Sequence, residues 1–529
     1  MPFSLKDPWT GLSLLAACVP LLPLAALVWL AGNPEAPIWD HLLNTVLPGQ
    51  AMTTVLLMGG VAVLCGLLGT ISAWLVTFYR FPLRGFFGWA LLLPLAIPTY
   101  LMAYAYGDVL DHAGPLYHIW RHYLPDTPWP DFRSLPGAVM LLSLVLYPYV
   151  YLSARAAFMQ QSAGLIEAVR ALGTSPLACF LRIGLPMARP AIIVGMALAM
   201  MECLNDIGAV EYLGVNTLTV GVYDTWVVRG NLGGAAQLAL SLLAFMALLL
   251  WLERSQRTSG TQYSRSARQR SLPDFPVAAR QKWAMSAFCA LPVILGFIVP
   301  VMLLLAHAGG STLTANIQYA AWRSFALALT ACLLTCLLGL GLSYAARSGP
   351  PLVKRLGQVA SLGYAVPGTV LAIGIMVVLG RLADVTGGAL VLSGTAAALI
   401  IAYMVRFLSL SFGTLEAGFT RLSPGLDMAA RSLGSGKTAT LWRVHIPLLR
   451  APLLTAAILV FVDVMKELPA TLILRPFDFE TLATSVYMYA SVGQLEDAAL
   501  PALLIVAVGL IPVAISLKLL DNIRNMRRA

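Results

Sequence analysis

Long, nearly uninterrupted apolar runs constrain this chain more than any other feature of its sequence. Examples run from Leu12 to Leu30, Val55 to Val76, Pro136 to Val150 and Ala499 to Leu517. Each is about as long as a helix that crosses the apolar part of a lipid bilayer. The composition agrees, because 11% of the residues are charged whereas soluble domains carry about 25%. The sequence therefore predicts an all-α, polytopic membrane protein.

Marking every apolar run predicts about 12 transmembrane helices. An even number of spans puts both termini on one side of the membrane, and most of the 34 Lys and Arg residues fall in loops on that side. Basic residues concentrate in short cytoplasmic loops, so we expect a multi-pass protein of a bacterial inner membrane with both termini in the cytoplasm. Because the net charge of +10 arises from these loops, we expect membrane lipid around the chain and no nucleic-acid partner.

The longest internal polar stretch, residues 253–283, is predicted to be a cytoplasmic linker between two halves. The first half covers residues 1–252, with its core at about 51–252. The second half covers residues 284–529, with its core at about 318–518.

One segment occurs in both halves. EAVRALGTSPLACFLRIGLPMAR at 167–189 aligns without a gap with MAARSLGSGKTATLWRVHIPLLR at 428–450, 261 residues later. Repeats in the same orientation predict two homologous six-helix halves related by a pseudo-two-fold axis along the membrane normal.

These segments resemble the cytoplasmic signature of the ABC importer permease family, which is Glu-Ala-Ala, a glycine and a later Ile-x-Leu-Pro. We name the two predicted coupling loops, 157–189 and 413–450, the first and second coupling loop. The second carries Met428 in place of the glutamate, next to Asp427. The predicted ATPase-coupling residues are Glu167, Ala168, Gly173, Pro186, Asp427, Ala429, Ala430, Gly434 and Pro447.

The resemblance implies a type I ABC importer permease fold and a set of partners. Each coupling loop would dock on one of two copies of a cytoplasmic ABC ATPase, which would hold ATP and Mg, and a periplasmic substrate-binding protein would deliver the substrate. A glycine between two helical stretches suits such a helix–turn–helix. Two amphipathic connectors lying on the membrane surface are the alternative, which leaves the duplication without a reason.

A short motif in the second coupling loop imitates a nucleotide site. GSGKT at Gly434–Thr438 ends like a P-loop, but Arg431 stands where the pattern needs its first glycine, and the flanks indicate helix rather than strand. We therefore expect a transport subunit without its own ATPase site or cofactor, and the sequence singles out no certain metal ligands.

The fifth span of each half carries polar and charged residues. The 261-residue shift pairs Glu202 with Asp463 and Asp206 with Glu467, and the four-residue spacing predicts that both carboxylates of a half lie on one helix face. Ionisable groups at such depth face an aqueous path or a partner. Inter-helix ion pairs, or contact with the binding protein, are equally weighted alternatives. The candidate translocation-pathway residues are Glu202, Asn205, Asp206, Asp463, Lys466 and Glu467.

Three stretches, 93–106, 202–226 and 466–487, resemble the ferric-iron branch of fused permeases. Oxygen ligands from carboxylates would also suit a hard cation. Thiamine and aminophosphonate permeases share the fused layout and remain open as substrate alternatives. An ion-coupled secondary transporter, which can also be built from parallel repeats, is the alternative of another class.

The outer segment Asp108–Arg133 mixes acidic and aromatic residues. Such a surface could receive a binding protein, but aromatic residues also concentrate at membrane interfaces on general grounds.

Overall fold

A computed structural model describes residues 8–32, 39–112, 114–161, 163–259, 275, 277–309, 312–360, 363–364 and 366–526. Within the predicted linker, residues 260–274 and 276 lie outside this part of the chain. The described residues are overwhelmingly helical, as the apolar runs predict.

The helices of the first half in sequence are α1 (Pro8–Gly32), α2 (Trp39–His41), α3 (Leu47–Phe78), α4 (Arg84–Ala90), α5 (Thr99–Leu110), α6 (Pro115–Tyr123), α7 (Leu135–Met159), α8 (Ala163–Ala171), α9 (Pro176–Cys179), α10 (Leu185–Asn205), α11 (Gly208–Tyr212), α12 (Leu218–Tyr223) and α13 (Leu232–Ser259).

The helices of the second half are α14 (Ala279–Val293), α15 (Val299–Ala308), α16 (Ala315–Ser348), α17 (Pro351–Ala360), α18 (Gly368–Val385), α19 (Ala396–Thr420), α20 (Gly425–Ser432), α21 (Lys437–Thr440), α22 (Ile446–Leu448), α23 (Arg450–Met465), α24 (Pro469–Leu474), α25 (Leu482–Ser491) and α26 (Leu495–Met526).

Ten helical stretches among the described residues are long and apolar enough to cross a bilayer, and two bent pairs raise the number to 12. One pair joins Arg84–Ala96 to Thr99–Tyr123 at 88°, and the other joins Lys437–Leu448 to Arg450–Met465 at 79°. The first bend falls at Pro98, whose extended backbone ends one helical piece and begins the next. The predicted polytopic all-α fold with about 12 spans is confirmed.

The helices form two compact units, which we describe separately. Unit I contains the described residues before His41 together with Val222–Leu243 and Leu313–Ser485. Unit II contains His41–Gly221, the described residues of 244–312, and those from Val486 onward. The predicted halves follow the repeat in sequence, whereas the units follow packing, so the two divide the chain at different places.

Each unit is built around the same three-helix core. In unit II, α3, α7 and α10 pack against one another, and in unit I the corresponding helices α16, α19 and α23 do so. Buried apolar side chains fill both cores, for example Tyr147 and Tyr151 on α7 and Tyr403 and Phe412 on α19. Close packing of these apolar side chains stabilises each core through van der Waals contacts.

An outer helix from the other end of the chain completes each unit. In unit I, α1 lies against α17 and α18, and the Trp9 ring meets the Tyr344 ring edge-on at 5.0 Å between centroids. In unit II, α26 lies against α15 and the short 3₁₀ turn Leu93–Ala96. The first and last long helices therefore each pack in a unit whose three-helix core belongs to the opposite half in sequence.

Candidate coupling loops and charged span ends

Both coupling loops adopt the helix–turn–helix that the sequence predicts. In the first, α8 ends at Ala171 and α9 begins at Pro176; in the second, α20 ends at Ser432 and α21 begins at Lys437. Each then returns to its long helix through one π-helical turn, Phe180–Gly184 or Leu441–His445. The π turns are related by the same 261-residue shift, so the repeat extends to an irregular detail of the backbone.

A left-handed glycine forms the turn in each loop. Gly173 has φ +80° and Gly434 has φ +78°, a region in which residues with a Cβ are strained. The amide nitrogen of Gly173 donates to the carbonyl oxygen of Arg170 at 2.9 Å, and Gly434 does the same to Arg431 at 2.9 Å. These bonds close the C-terminal turn of α8 and α20, so glycine is required here by backbone conformation.

The predicted coupling residues divide by exposure. Glu167, Ala168, Gly173, Pro186, Ala429, Gly434 and Pro447 are exposed. Ala430, in contrast, is buried and Asp427 is only half-exposed. Met428, at the position of Glu167, is 66% exposed. The exposed positions form the outer surface of the loops, whereas Asp427 and Ala430 face the interior of unit I.

An aromatic cluster holds the first loop to unit II. The Trp74 ring lies 5.2 Å from Phe158 and 5.0 Å from Phe180 between centroids, and Phe275 stacks on Phe78 at 5.6 Å. The Phe275 amide donates to the carbonyl oxygen of Phe78 at 2.8 Å. Because Phe275 belongs to the predicted linker, that segment contributes a buried side chain to this cluster.

The same linker residue contacts the first coupling loop directly. The Arg170 guanidinium on α8 lies 4.8 Å from the centre of the Phe275 ring, a cation–π arrangement. Phe275 is 2% exposed, so the contact is shielded from solvent on the ring side. The linker therefore helps to position α8.

An ionic cluster holds the second loop to unit I. The Arg347 guanidinium at the end of α16 donates to Oδ2 of Asp427 from Nη2 at 2.7 Å and from Nε at 3.0 Å. Its Nη1 donates to the Phe419 carbonyl oxygen at 2.7 Å. Nε2 of His445, which is fully buried, lies 3.1 Å from Oδ1 of Asp427. Asp427 thus joins α20 to both α16 and the π turn.

Asp427 is therefore not a substitute for the glutamate missing from the second loop. The 261-residue shift pairs it with buried Ile166, while Glu167 pairs with Met428. Both carboxylate oxygens of Asp427 contact internal partners, so the structure gives this residue a role in holding the second loop to unit I, and its part in ATPase coupling stays a prediction.

The fifth span of each half ends before some of the charged residues predicted to lie on it. Helix α10 ends at Asn205, and Asp206 has the extended angles φ −72° and ψ 133°. Helix α23 ends at Met465, so Lys466 and Glu467 also lie beyond it. The prediction that Glu202 and Asp206, and likewise Asp463 and Glu467, share one helix face is wrong, because the second carboxylate of each half follows a helix end.

Asp206 and Glu467 cap the short helix that follows each break. Oδ1 of Asp206 accepts from the amides of Ala209 at 2.9 Å and Val210 at 3.2 Å. Oε1 of Glu467 accepts from the Ala470 amide at 2.9 Å, and Oε2 from the Thr471 amide at 3.0 Å. Amides at a helix start lack helical partners, and side-chain oxygens satisfy them.

Burial separates these caps from the other candidate pathway residues. Asp206 is 9% exposed and Glu467 is 5% exposed, whereas Glu202, Asn205, Asp463 and Lys466 are all half-buried. Nζ of Lys466 lies 2.9 Å from Oδ1 of Asp463. This pair joins neighbouring residues of one segment, whereas the inter-helix ion pair weighed as an alternative occurs at Glu467, whose Oε1 lies 3.6 Å from Nη1 of Arg406 on α19.

The outer segment folds into a small aromatic and ionic cluster of unit II. Trp129 meets Trp120 edge-on at 5.4 Å between centroids and donates from Nε1 to the Leu110 carbonyl oxygen at 2.9 Å. Arg133 lies 2.8 Å from Oδ2 of Asp111. No group of three or more metal-ligating side chains occurs in the described parts of the chain.

Comparison with known proteins identifies the family. The model of the family described as "Binding-protein-dependent transport system inner membrane component" matches residues 66–257 and again residues 337–525. Together these matches cover more than half of the chain, and each includes one coupling loop. The chain belongs to this family. It is a transport permease of the ABC type that carries the family domain twice, and its apolar helices make it a multi-pass membrane protein.

The relatives of this permease differ in how much of it they cover. It is 28% identical to the Fe(3+)-transport system permease protein FbpB 2 of Haemophilus influenzae, over 87% of this chain and 88% of the relative. It is 28% identical to the sulfate transport system permease protein CysT of Salmonella typhimurium, over 39% of this chain and 74% of that one. A Salmonella typhimurium permease assigned to 2-aminoethylphosphonate transport, PhnU, is 28% identical over 33% of this chain and 63% of its own.

Sequence reasoning did not select two leucines that the structure makes prominent. Leu172 and Leu433, each directly before a turn glycine, are both 85% exposed. Isolated exposed leucines are ordinary, but here equivalent leucines are exposed at the tips of both loops. Their pairing in the alignment was visible in the sequence, whereas their exposure follows from the turn geometry.

Replacing a turn glycine by valine tests the role of the left-handed turn. Gly173→Val and Gly434→Val should each strain the loop by about 1–2 kcal/mol, because a β-branched residue disfavours positive φ. We expect normal membrane insertion and weaker retention of the partner ATPase on affinity purification. Gly436→Val, on the exposed side of the second loop at φ −70°, is the matched control. Equal retention by all three variants would contradict the prediction.

Replacing Asp427 tests the ionic cluster. Asp427→Ala leaves Arg347 and His445 without their shared carboxylate, and a buried group deprived of its partner costs about 1–3 kcal/mol. The detergent-solubilised protein should melt at a lower temperature, as followed by size-exclusion chromatography after heating. Met428→Ala, at the neighbouring exposed position, should melt like the wild type. The prediction is wrong if both variants melt together.

Proposed function

We propose that this permease is the membrane subunit of a binding-protein-dependent importer for ferric iron. The observation that carries the proposal is the extent of the resemblance to the Haemophilus influenzae permease, which spans 87% of this chain. The sulfate and aminoethylphosphonate permeases match 39% and 33% of it. A relative that shares both halves and their linker is the better guide to the cargo of the fused chain.

The charges at the span ends support a cationic cargo. Glu202 and Asp463, at equivalent positions near the span ends, are half-buried. Carboxylate oxygens suit a hard metal ion, and Lys466 balances the charge of Asp463. Asn205 and Lys466 occupy the next equivalent pair. We propose that these four residues contact the translocation path, whereas the capping residues Asp206 and Glu467 shape it.

We propose that a separate protein supplies the energy for transport by hydrolysing ATP. Two copies of a cytoplasmic ABC ATPase, holding ATP and Mg, would each receive one coupling loop, with Leu172 or Leu433 at its tip. Closure of the ATPase pair would then favour one state of the permease over another by differential binding. Arg431 in place of the first P-loop glycine supports the assignment of hydrolysis to the partner.

We further propose a topology for the permease and a surface for substrate delivery. Both termini and both coupling loops would lie in the cytoplasm, since the basic loops share that side. The outer segment, with its Trp120 and Trp129 cluster, would then face the periplasm and receive the substrate-binding protein.

Uptake of labelled cargo tests the substrate. Cells that express the permease with its ATPase and binding protein should accumulate radiolabelled ferric iron, and this uptake should stop when ATP is depleted. Sulfate, 2-aminoethylphosphonate and thiamine are the comparison cargoes in the same cells. Accumulation of any of these without ferric iron would overturn the iron assignment. Uptake that persists without ATP and collapses with the ion gradient would favour a secondary transporter.

The two loops should contribute unequally to coupling. Glu167 can make a charge-assisted contact with a partner, which Met428 cannot, and such hydrogen bonds are about twice as strong as neutral ones. Glu167→Ala should therefore lower binding-protein-stimulated ATP hydrolysis more than Met428→Ala does. Purified complexes in lipid nanodiscs allow the comparison at equal protein amount. Equal losses would show that this difference between the loops has no functional weight.

A further inference from the structure

The residue after each capping carboxylate has nearly the same backbone angles in both halves. Ile207, which follows Asp206, has φ −121° and ψ −46°, and Leu468, which follows Glu467, has φ −113° and ψ −49°. The helices that approach the caps also begin alike. Pro98 before α5 has φ −58° and ψ 145°, and Pro367 before α18 has φ −54° and ψ 141°. Equivalent side chains around the two caps can therefore be compared directly.

Neutral groups hold the cap of the first half. The Thr99 hydroxyl, on the residue after Pro98, donates to Oδ2 of Asp206. The other carboxylate oxygen of Asp206, Oδ1, accepts from the backbone amides of Ala209 and Val210. On α7, the buried residue Val145 stands 261 positions before Arg406 and is its counterpart.

A cation holds the cap of the second half. Nη1 of Arg406, on α19, lies 3.6 Å from Oε1 of Glu467, and the side chains are 8% and 2% exposed. Nε and Nη1 of Arg406 make no hydrogen bond to any described residue. The guanidinium is therefore held beside Glu467 chiefly by charge, in surroundings where removal of one member of a buried pair is costly.

The residue after Pro367 explains why one half cannot hold both a threonine after the proline, as at Thr99, and an arginine on the facing helix, as at Arg406. It is Gly368, the counterpart of Thr99, and a Cβ added there would overlap Nη1 of Arg406. The same Cβ would lie 3.0 Å from Oε1 of Glu467. A threonine at 368 would thus occupy the place of the guanidinium and bring its hydroxyl to the carboxylate, as Thr99 does.

We propose that Thr99 in the first half, and Gly368 with Arg406 in the second, are interchangeable positioning devices for the capping carboxylates. Each device holds a carboxylate on the amides of the short helix after the fifth span and so keeps that span broken. In the first half, the neighbouring helix α5 contributes a hydroxyl donor. In the second half, Glu467 accepts from the Thr471 hydroxyl of its own short helix at 2.6 Å, and the neighbouring helix α19 contributes a buried counter-charge that a glycine admits. This role is independent of the cargo and goes beyond the proposed function.

Transplanting the first device into the second half tests the proposal. Arg406→Val should lower the yield of folded permease about tenfold, because Glu467 keeps a buried charge without its partner. Gly368→Thr should also lower the yield, because its side chain overlaps Arg406. The double variant Gly368→Thr/Arg406→Val reproduces the first-half arrangement and should return to within about threefold of wild type, since contacting residues couple strongly.

The readouts of this experiment do not depend on the identity of the cargo. The full chain is expressed with its ATPase, and the monodisperse fraction in detergent is measured before ATP hydrolysis per folded complex. Recovery in the double variant of both the folded fraction and hydrolysis supports the proposal. A double variant as poor as the poorer single variant overturns it, even if ferric iron proves to be the wrong cargo.

Thr99 provides the matched test in the first half. Thr99→Val keeps the shape of the side chain and removes the donor, whereas Thr99→Ser keeps the donor. We expect binding-protein-stimulated hydrolysis per folded complex to fall several-fold in Thr99→Val and to stay near wild type in Thr99→Ser. Equal hydrolysis in the two variants would show that Thr99 acts by packing alone and would overturn the assignment of its hydroxyl.

Discussion

Helix ends inside an apolar protein must have their backbone groups satisfied, and this constraint shapes both halves of the permease. A spanning helix can stop within the bundle only if the amides of the next helix find acceptors. Asp206 and Glu467 provide those acceptors, with distances of 2.9–3.2 Å and 2.9–3.0 Å to the capped amides. The broken fifth span, the short helices α11 and α24 and the return of the chain all depend on these two carboxylates.

The duplication preserves backbone geometry more strictly than side-chain chemistry. The φ angles of the turn glycines and the angles after the caps differ between the halves by 8° or less, and the π turns repeat at a constant shift in sequence. The groups that stabilise them differ, since aromatic rings hold the first coupling loop while Arg347, Asp427 and His445 hold the second. Two halves of one chain can diverge in this way because each needs to preserve only the position of its own loop and span end.

Much of the architecture could be predicted from the sequence. Run length and basic-loop distribution indicate the polytopic helical fold, and the gapless repeat places the loops and their glycines. The span predicted from periodicity was longer than the helix in the structure. In sequence, Asp206, which caps the next helix, cannot be told from an aspartate on a helix face. The internal role of Asp427 could not be predicted either, since Arg347 is distant in sequence and no local pattern connects them. The burial of Phe275 could not be predicted either, because Phe275 lies in a polar linker and its partner Phe78 is distant in sequence.

The placement of α1 carries a consequence for how the chain matures. Trp9 contacts Tyr344, and α1 packs mainly on α16, α17 and α18, so α1 finds most of its packing surface only after these later helices have been synthesised. Contacts so distant in sequence form late, so before then α1 can make only those of its final contacts that come from earlier helices, such as the hydrogen bond that Gln237 on α13 donates to the Ala31 carbonyl oxygen. A cut within the linker would place α1 and that surface on two polypeptides, whereas the fused chain supplies both in a one-to-one ratio.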